Sequence, residues 1–205
     1  MVISKLISIY SIVAIVMLVV TGCPSNCGSS LDAKYSFSAT SQFSPATDSI
    51  KFGDTLYLSS SIPFKLIDGN TKTEINYKDG SEIGSVLGIA ELVKGENLPQ
   101  DAVDKFDYTE VKGKIYNDKS IPNPNGTQQL TYQKNSDGYE LLVGLIPKKK
   151  GIYVLGVRNG LSSTNKCQSA SFDITVSNAD VHSYYYYNTL GIPLEGQHGY
   201  CFKVY

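Results

Sequence analysis

Residues 139 to 157, Tyr-Glu-Leu-Leu-Val-Gly-Leu-Ile-Pro-Lys-Lys-Lys-Gly-Ile-Tyr-Val-Leu-Gly-Val, hold two apolar runs around a lysine turn. The runs Tyr139 to Ile146 and Ile152 to Val157 are rich in β-branched and aromatic residues and carry apolar side chains on both faces of any extended chain. Each is too short for a buried helix and bounded by turn residues, which predicts two central strands.

Working outward, the flanking sequence alternates apolar with small or polar residues. Tyr35 and Phe37, Ile50 and Phe52, then Leu56, Leu58 and Ile62, and finally Phe172, Ile174 and Val176 follow period two. These positions predict half-buried strands. Gly53-Asp54, Asp68-Gly69-Asn70, Asp79-Gly80, Asp137-Gly138 and Asn159-Gly160 supply turn signals between them. Many short strands with almost no helical periodicity predict a mainly β fold, an antiparallel β-sandwich. Two helical turns over Leu98 to Phe106 are the one expected exception, with Pro99 near the start and Leu98, Ala102, Val103 and Phe106 as the apolar face. The polar stretch Asn117 to Gln129 predicts a long exposed loop.

The segment Pro147 to Leu155 resembles the turn and strand at the tyrosine corner of immunoglobulin-like sandwiches, with Gly151, Tyr153 and Leu155 in the motif's places. It departs from that motif in Lys149, where an acid is usual, and in Leu155, where a cysteine is usual. The resemblance implies an immunoglobulin-like β-sandwich without the inter-sheet disulfide. Tyr153 then has two possible placements, buried with a partner for its hydroxyl or amphipathic with the hydroxyl at the rim.

The chain has 205 residues, 41% hydrophobic and 18% charged, with a formal charge of −1. That composition excludes collagen-like and strongly disordered classes, and with no dense basic stripe it disfavours nucleic acid as a partner. Met1 to Lys5 forms a short basic start, and the fifteen apolar residues Leu6 to Val20 fall short of the roughly 20 of a spanning helix, as in an export signal. Val20-Thr21-Gly22-Cys23 follows and resembles a bacterial lipobox. That resemblance implies cleavage before Cys23, acylation of its thiol and anchoring in a membrane, with residues 23–33 as a flexible tether. The expected organisation is a signal peptide over 1–22, the tether, and one sandwich domain over 34–205 including a tail at 179–205. The lipobox, Asp48 to Leu56, Pro147 to Leu155 and Gly199 to Val204 together resemble uncharacterised Bacteroidota-type lipoproteins. This implies the outer membrane of a bacterial envelope, and Pro24-Ser25-Asn26 in place of early acids favours the periplasmic face.

With Cys23 acylated, Cys27, Cys167 and Cys201 remain in an oxidising compartment. Cys167 with Cys201 is the expected disulfide, since both lie beside predicted strands; pairing of Cys27 with either is the alternative. Its closed loop of about 35 residues would stabilise by roughly 3–4 kcal/mol. No ligand spacing for a metal and no cofactor motif occurs, so none is expected.

No catalytic residues are expected either. The two histidines, His182 and His198, lie in the tail, and most of the carboxylates fall at turns (Asp54, Asp68, Asp79, Asp137) or at outward strand positions (Glu140, Asp173). Lys148 to Lys150 reads as a solvated turn. The run Tyr184, Tyr185, Tyr186 and Tyr187 has two readings, an aromatic platform for protein or glycan and a final strand or flap whose rings lie on the sandwich. A non-catalytic binding module for an envelope protein or glycan is expected, with a structural or assembly subunit as the alternative and a carboxylate hydrolase behind both.

Overall fold

The computed structural model describes residues 34–116, 127–163, 169–179 and 199–205, with Tyr186, Asn188 and Leu190. All lie within one compact unit, Asp32–Tyr205. The strands, in chain order, are β1 (Tyr35–Ser44), β2 (Ser49–Ile50), β3 (Leu56–Pro63), β4 (Lys65–Ile67), β5 (Glu74–Asn76), β6 (Gly84–Glu91), β7 (Gln100–Asp101), β8 (Phe106–Lys112), β9 (Lys114–Tyr116), β10 (Thr127–Thr131), β11 (Gln133–Lys134), β12 (Gly138–Pro147), β13 (Gly151–Ser163), β14 (Ser169–Val176) and β15 (Tyr200–Val204).

Two strands that change sheets close these elements into a sandwich. The first seven residues of β1 run parallel to β14, and its last four run antiparallel to β3. The switch falls at Ser41, which is buried and paired on both sides, and whose hydroxyl donates to Thr175 O. At the opposite edge, β8 lies on β12 while β9 lies on β10. Gly113, at φ +81°, makes that second crossing; a Cβ there would lie 2.4 Å from Thr131 O. One sheet is therefore β8-β12-β3 with the end of β1, and the other is β14-β13-β6-β10-β9 with β15 and β2 along the start of β13. β4 and β5 form a separate hairpin.

The inner faces follow the alternation in the sequence. Leu58, Ile62, Leu141, Val143 and Leu145 from one sheet meet Leu87, Ile89, Leu155, Phe172 and Phe202 from the other in one buried cluster. Burial of a side chain of this size contributes about 1.5–3 kcal/mol, so the core sets the register of both sheets. Tyr153 takes the buried placement: it is 0% exposed, and its hydroxyl donates to Lys149 O at 3.1 Å, the upstream turn of a tyrosine corner. The Phe106 and Phe202 rings pack against it.

Three expectations are corrected. Leu98 to Phe106 is not two helical turns but β7 followed by a single 3-10 turn, Val103–Lys105. Ala102 N donates to Ile89 O, so pairing with the end of β6 claims the backbone that a helix would need. Asn159-Gly160 is no turn: β13 runs through it with a register shift between Arg158 and Leu161, a β-bulge that uses the same permissive residues. The loop expected over Asn117 to Gln129 gives up its last three residues, Thr127 to Gln129, to β10, and 117–126 lie outside the described residues.

Strand directions also fix the poles. β1 and β12 are each antiparallel to β3, so the Lys148 to Lys150 turn after β12 lies at the end of β1 away from Lys34. A strand of ten residues spans about 33 Å. The lysine turn is thus at the pole opposite the point where the chain enters the domain.

Candidate functional site

The tyrosine run is represented by Tyr186; Tyr184, Tyr185 and Tyr187 lie outside the described residues. Tyr186 is helical rather than extended, is 7% exposed and donates its hydroxyl to Asp48 O at 2.9 Å. Its ring joins Leu92 and Cys201 in a small apolar cluster, against which Ile152, Val154 and Leu190 pack. Ile152, Val154 and Cys201 lie on the outward faces of β13 and β15, so this part of the run is a cover on the sandwich and not a free platform. The same packing explains why Ile152 to Val157 reads as apolar on both faces.

Cys201 is a free thiol in the structure, so the Cys167–Cys201 bridge expected from the sequence is not formed in it. Burial among those apolar side chains pushes the thiol up to about 12, which keeps it protonated and inert at neutral pH. Cys23, Cys27, Cys167, His182 and His198 lie outside the described residues.

The carboxylates hold structural positions. Asp68 is fully buried and accepts hydrogen bonds from Ser36 N, Thr71 N and Thr71 Oγ1 at 2.7–3.0 Å. Those bonds, that from Ser36 foremost, lower its pKa to about 2. Asp54 accepts from Lys51 N at the turn that ends in β3, and Asp173 is exposed on β14. Lys148 pairs with Asp107 at 3.2 Å and Lys149 supplies the carbonyl under Tyr153. Among the described residues, no group of three or more His, Cys, Asp or Glu is placed to hold a metal ion.

One concave surface is on the outer face of the β1-β3-β12-β8 sheet. Register aligns its outward side chains in rows. Gln42 pairs with Ser59, Ser59 with Leu142 and Leu142 with Lys112, across all four strands. Beside that row, Ser61 pairs with Glu140, and Lys112 Nζ donates to Glu140 Oε2 at 2.6 Å. That ion pair, first through the hydrogen bond, lowers the Glu140 pKa. The two rows and Thr40 line a groove of about 390 Å³.

Tyr57 lies two residues along β3 from Ser59, on the same outward face. It is 38% exposed, paired with Gly144, and its Cε1 would lie 3.3 Å from a Cβ at that glycine. The ring covers the glycine backbone and keeps an open face. The ion pair of Lys112 with Glu140 is open to solvent, which screens it and leaves it little weight in holding the sheet together. Hydroxyls, one amide, one pair of opposite charges and one aromatic edge suit a ligand recognised by many hydrogen bonds.

Glu140 alone of this face was singled out by sequence reasoning. The missed signal lies in β1 and β3, whose outward positions are mostly Ser, Thr and Gln, with Tyr57 and Pro63, and carry no charge, whereas a merely solvated strand face commonly carries Lys and Glu.

No family model matches the chain, and no curated protein matches it. Among solved structures, it is similar to a cohesin module from a family 33 glycoside hydrolase of Clostridium perfringens, at 14% identity and a TM-score of 0.37, over 69% of this chain and 99% of that one. The second type II cohesin module of an adaptor scaffoldin from Acetivibrio cellulolyticus is similar at 9% identity and TM-score 0.35, over 71% of this chain and 95% of that one. A non-cellulosomal cohesin from Archaeoglobus fulgidus is similar at 11% and 0.33, over 75% and 99%. Likeness at this level leaves the role of the chain to its own surface.

Proposed function

We propose that this chain is a non-catalytic binding module, held in the bacterial cell envelope by lipid on Cys23, that engages an envelope protein or glycan through the open face of β1, β3, β12 and β8. One observation carries this reading. The rows Gln42-Ser59-Leu142-Lys112 and Ser61-Glu140 form a continuous hydrogen-bonding surface that the rest of the described chain leaves uncovered. Of the carboxylates singled out in the sequence, Asp68 is held by backbone amides and Glu140 by Lys112. Two or three acyl chains on Cys23 would anchor the protein stably, at about 0.8 kcal/mol per buried methylene, and residues 23–33 would let the domain swing. The periplasmic face of the outer membrane is the favoured location.

The test is a pull-down from envelope extract run beside a glycan array, comparing the detergent-solubilised wild type with Ser59→Arg/Ser61→Arg. Both serines point outward on β3, so the variant keeps its core and fills the groove. Retention of one protein or glycan class by wild type and its loss in the variant supports the reading. Equal retention by both removes this face from the function. Cys23→Ala should separately move the chain out of the detergent-extracted membrane fraction, and its staying there would refute the lipid anchor.

A further inference from the structure

The open face of β1, β3, β12 and β8 also limits what it can take. Inward serines beside it spend their hydroxyls inside the protein, Ser41 donating to Thr175 O and Ser60 to Thr40 O. The outward groups do not. Thr40, Gln42 and Ser61 are exposed, Ser59 is half-buried, and among the described residues none of these four side chains makes a hydrogen bond. Each of the three hydroxyls can donate and accept at once, and the Gln42 amide does so from two atoms.

Charge and composition narrow the ligand further. Among the described residues, the charged side chains lining the groove are Lys112 and Glu140, and they pair with each other, so a ligand meets no net charge there. The cores of protein interfaces are enriched in Tyr, Trp, Phe, Met and Arg and depleted in Ser, Lys and Glu. This lining has the opposite bias. Its volume of about 390 Å³ is that of a small-ligand pocket, and the row Gln42-Ser59-Leu142-Lys112 crosses three inter-strand spacings, roughly 14 Å. Tyr57 lies about 7 Å along β3 from Ser59 on the same outward side, with a ring face open.

We propose that the ligand of this face is a neutral oligosaccharide laid across the strands, with its hydroxyls on Thr40, Gln42, Ser59 and Ser61 and the C–H side of one ring on Tyr57. This holds only if the face is the binding surface, as proposed above, and it narrows the partner there to a glycan. A sugar presents what the groove is built to meet: closely spaced groups that donate and accept together, no charge, and an apolar C–H side for an aromatic ring. A protein partner fits worse, because Ser and Thr seldom carry the binding energy of a protein interface.

Biolayer interferometry of the immobilised full chain, solubilised in a detergent without a sugar headgroup, tests the proposal against three envelope extracts: untreated, digested with proteinase K, and oxidised with periodate, which cleaves the vicinal diols of sugars. The response should survive the proteinase, disappear after periodate, and keep its half-saturating dilution within about twofold between about 50 and about 500 mM NaCl, as for an uncharged ligand. Tyr57→Ala should weaken binding by about tenfold and Tyr57→Phe by less than about twofold, since the second keeps the ring. Gln42→Ala should weaken it several-fold, and this exposed position on β1 keeps the test standing if Tyr57→Ala does not fold. Loss after the proteinase would overturn the glycan in favour of a protein partner and leave the face in place. A tenfold loss in high salt would overturn it in favour of a charged ligand. Equal responses from wild type and Ser59→Arg/Ser61→Arg would remove the face itself, and with it both readings.

Discussion

Two outward faces of this sandwich are built from strands of the same kind and treated in opposite ways. On β13 and β15 the outward residues are Ile152, Val154 and Cys201, and the chain's own Tyr186 and Leu190 pack over them. On β1, β3 and β12 the outward residues include Gln42, Ser59, Ser61 and Glu140, with Tyr57 and Leu142 among them, and they remain open. The apolar outward positions of β13 and β15 are thus covered by the same chain, while the mostly polar rows around Leu142 are left open. The tyrosine run belongs to the first kind at Tyr186, for all its resemblance to a binding motif.

Breaking the covered face should have the largest effect. Tyr186→Ser removes a buried ring and the bond to Asp48 O, and should destabilise by about 2–4 kcal/mol in urea unfolding. No change in midpoint would mean that the cover contributes nothing. Tyr153→Phe removes only the hydroxyl bond to Lys149 O and should cost about 1 kcal/mol by the same measurement. A cost near zero would leave the tyrosine corner without energetic weight.

Asp68 sharpens the contrast through pH. Its folded pKa is lowered to about 2, below an unfolded value of about 3.9, so its contribution is complete above pH ~4 and is lost as the pH falls through 2. Unfolding midpoints measured across that window should fall for the wild type and stay flatter for Asp68→Asn; parallel curves would contradict the assignment. The smallest effect belongs to the open face. Gln42→Ala and Ser61→Ala should each change stability by less than about 0.5 kcal/mol, since their side chains leave the core untouched. A larger loss there would make the face structural.

The sequence made some of this legible and hid the rest for physical reasons. Tyr153 was readable because Gly-x-Tyr after a lysine turn fixes both the turn and the direction of the ring, though whether the hydroxyl would be buried depended on Phe106 and Phe202 arriving from elsewhere. Asn159-Gly160 misled, because a bulge and a turn ask for the same conformational freedom. The open face was hidden for another reason. Alternation tells that Gln42, Ser59 and Lys112 point outward, but only the pairing of β1, β3, β12 and β8 brings residues up to 100 positions apart into one row. Gln128 shows the limit most sharply, since nothing in Thr127-Gln128-Gln129 distinguishes the buried glutamine from the exposed one until β10 is set against β6.

The central claim is that the face of β1, β3, β12 and β8 is the surface this protein offers to its partner. Hydroxyl-radical footprinting of the solubilised protein, with and without the envelope component it retains, tests this most directly. Protection should concentrate on Tyr57 and Leu142, with Phe52 and Leu161 unchanged. Protection elsewhere, with Tyr57 and Leu142 as reactive as in the free protein, would contradict it.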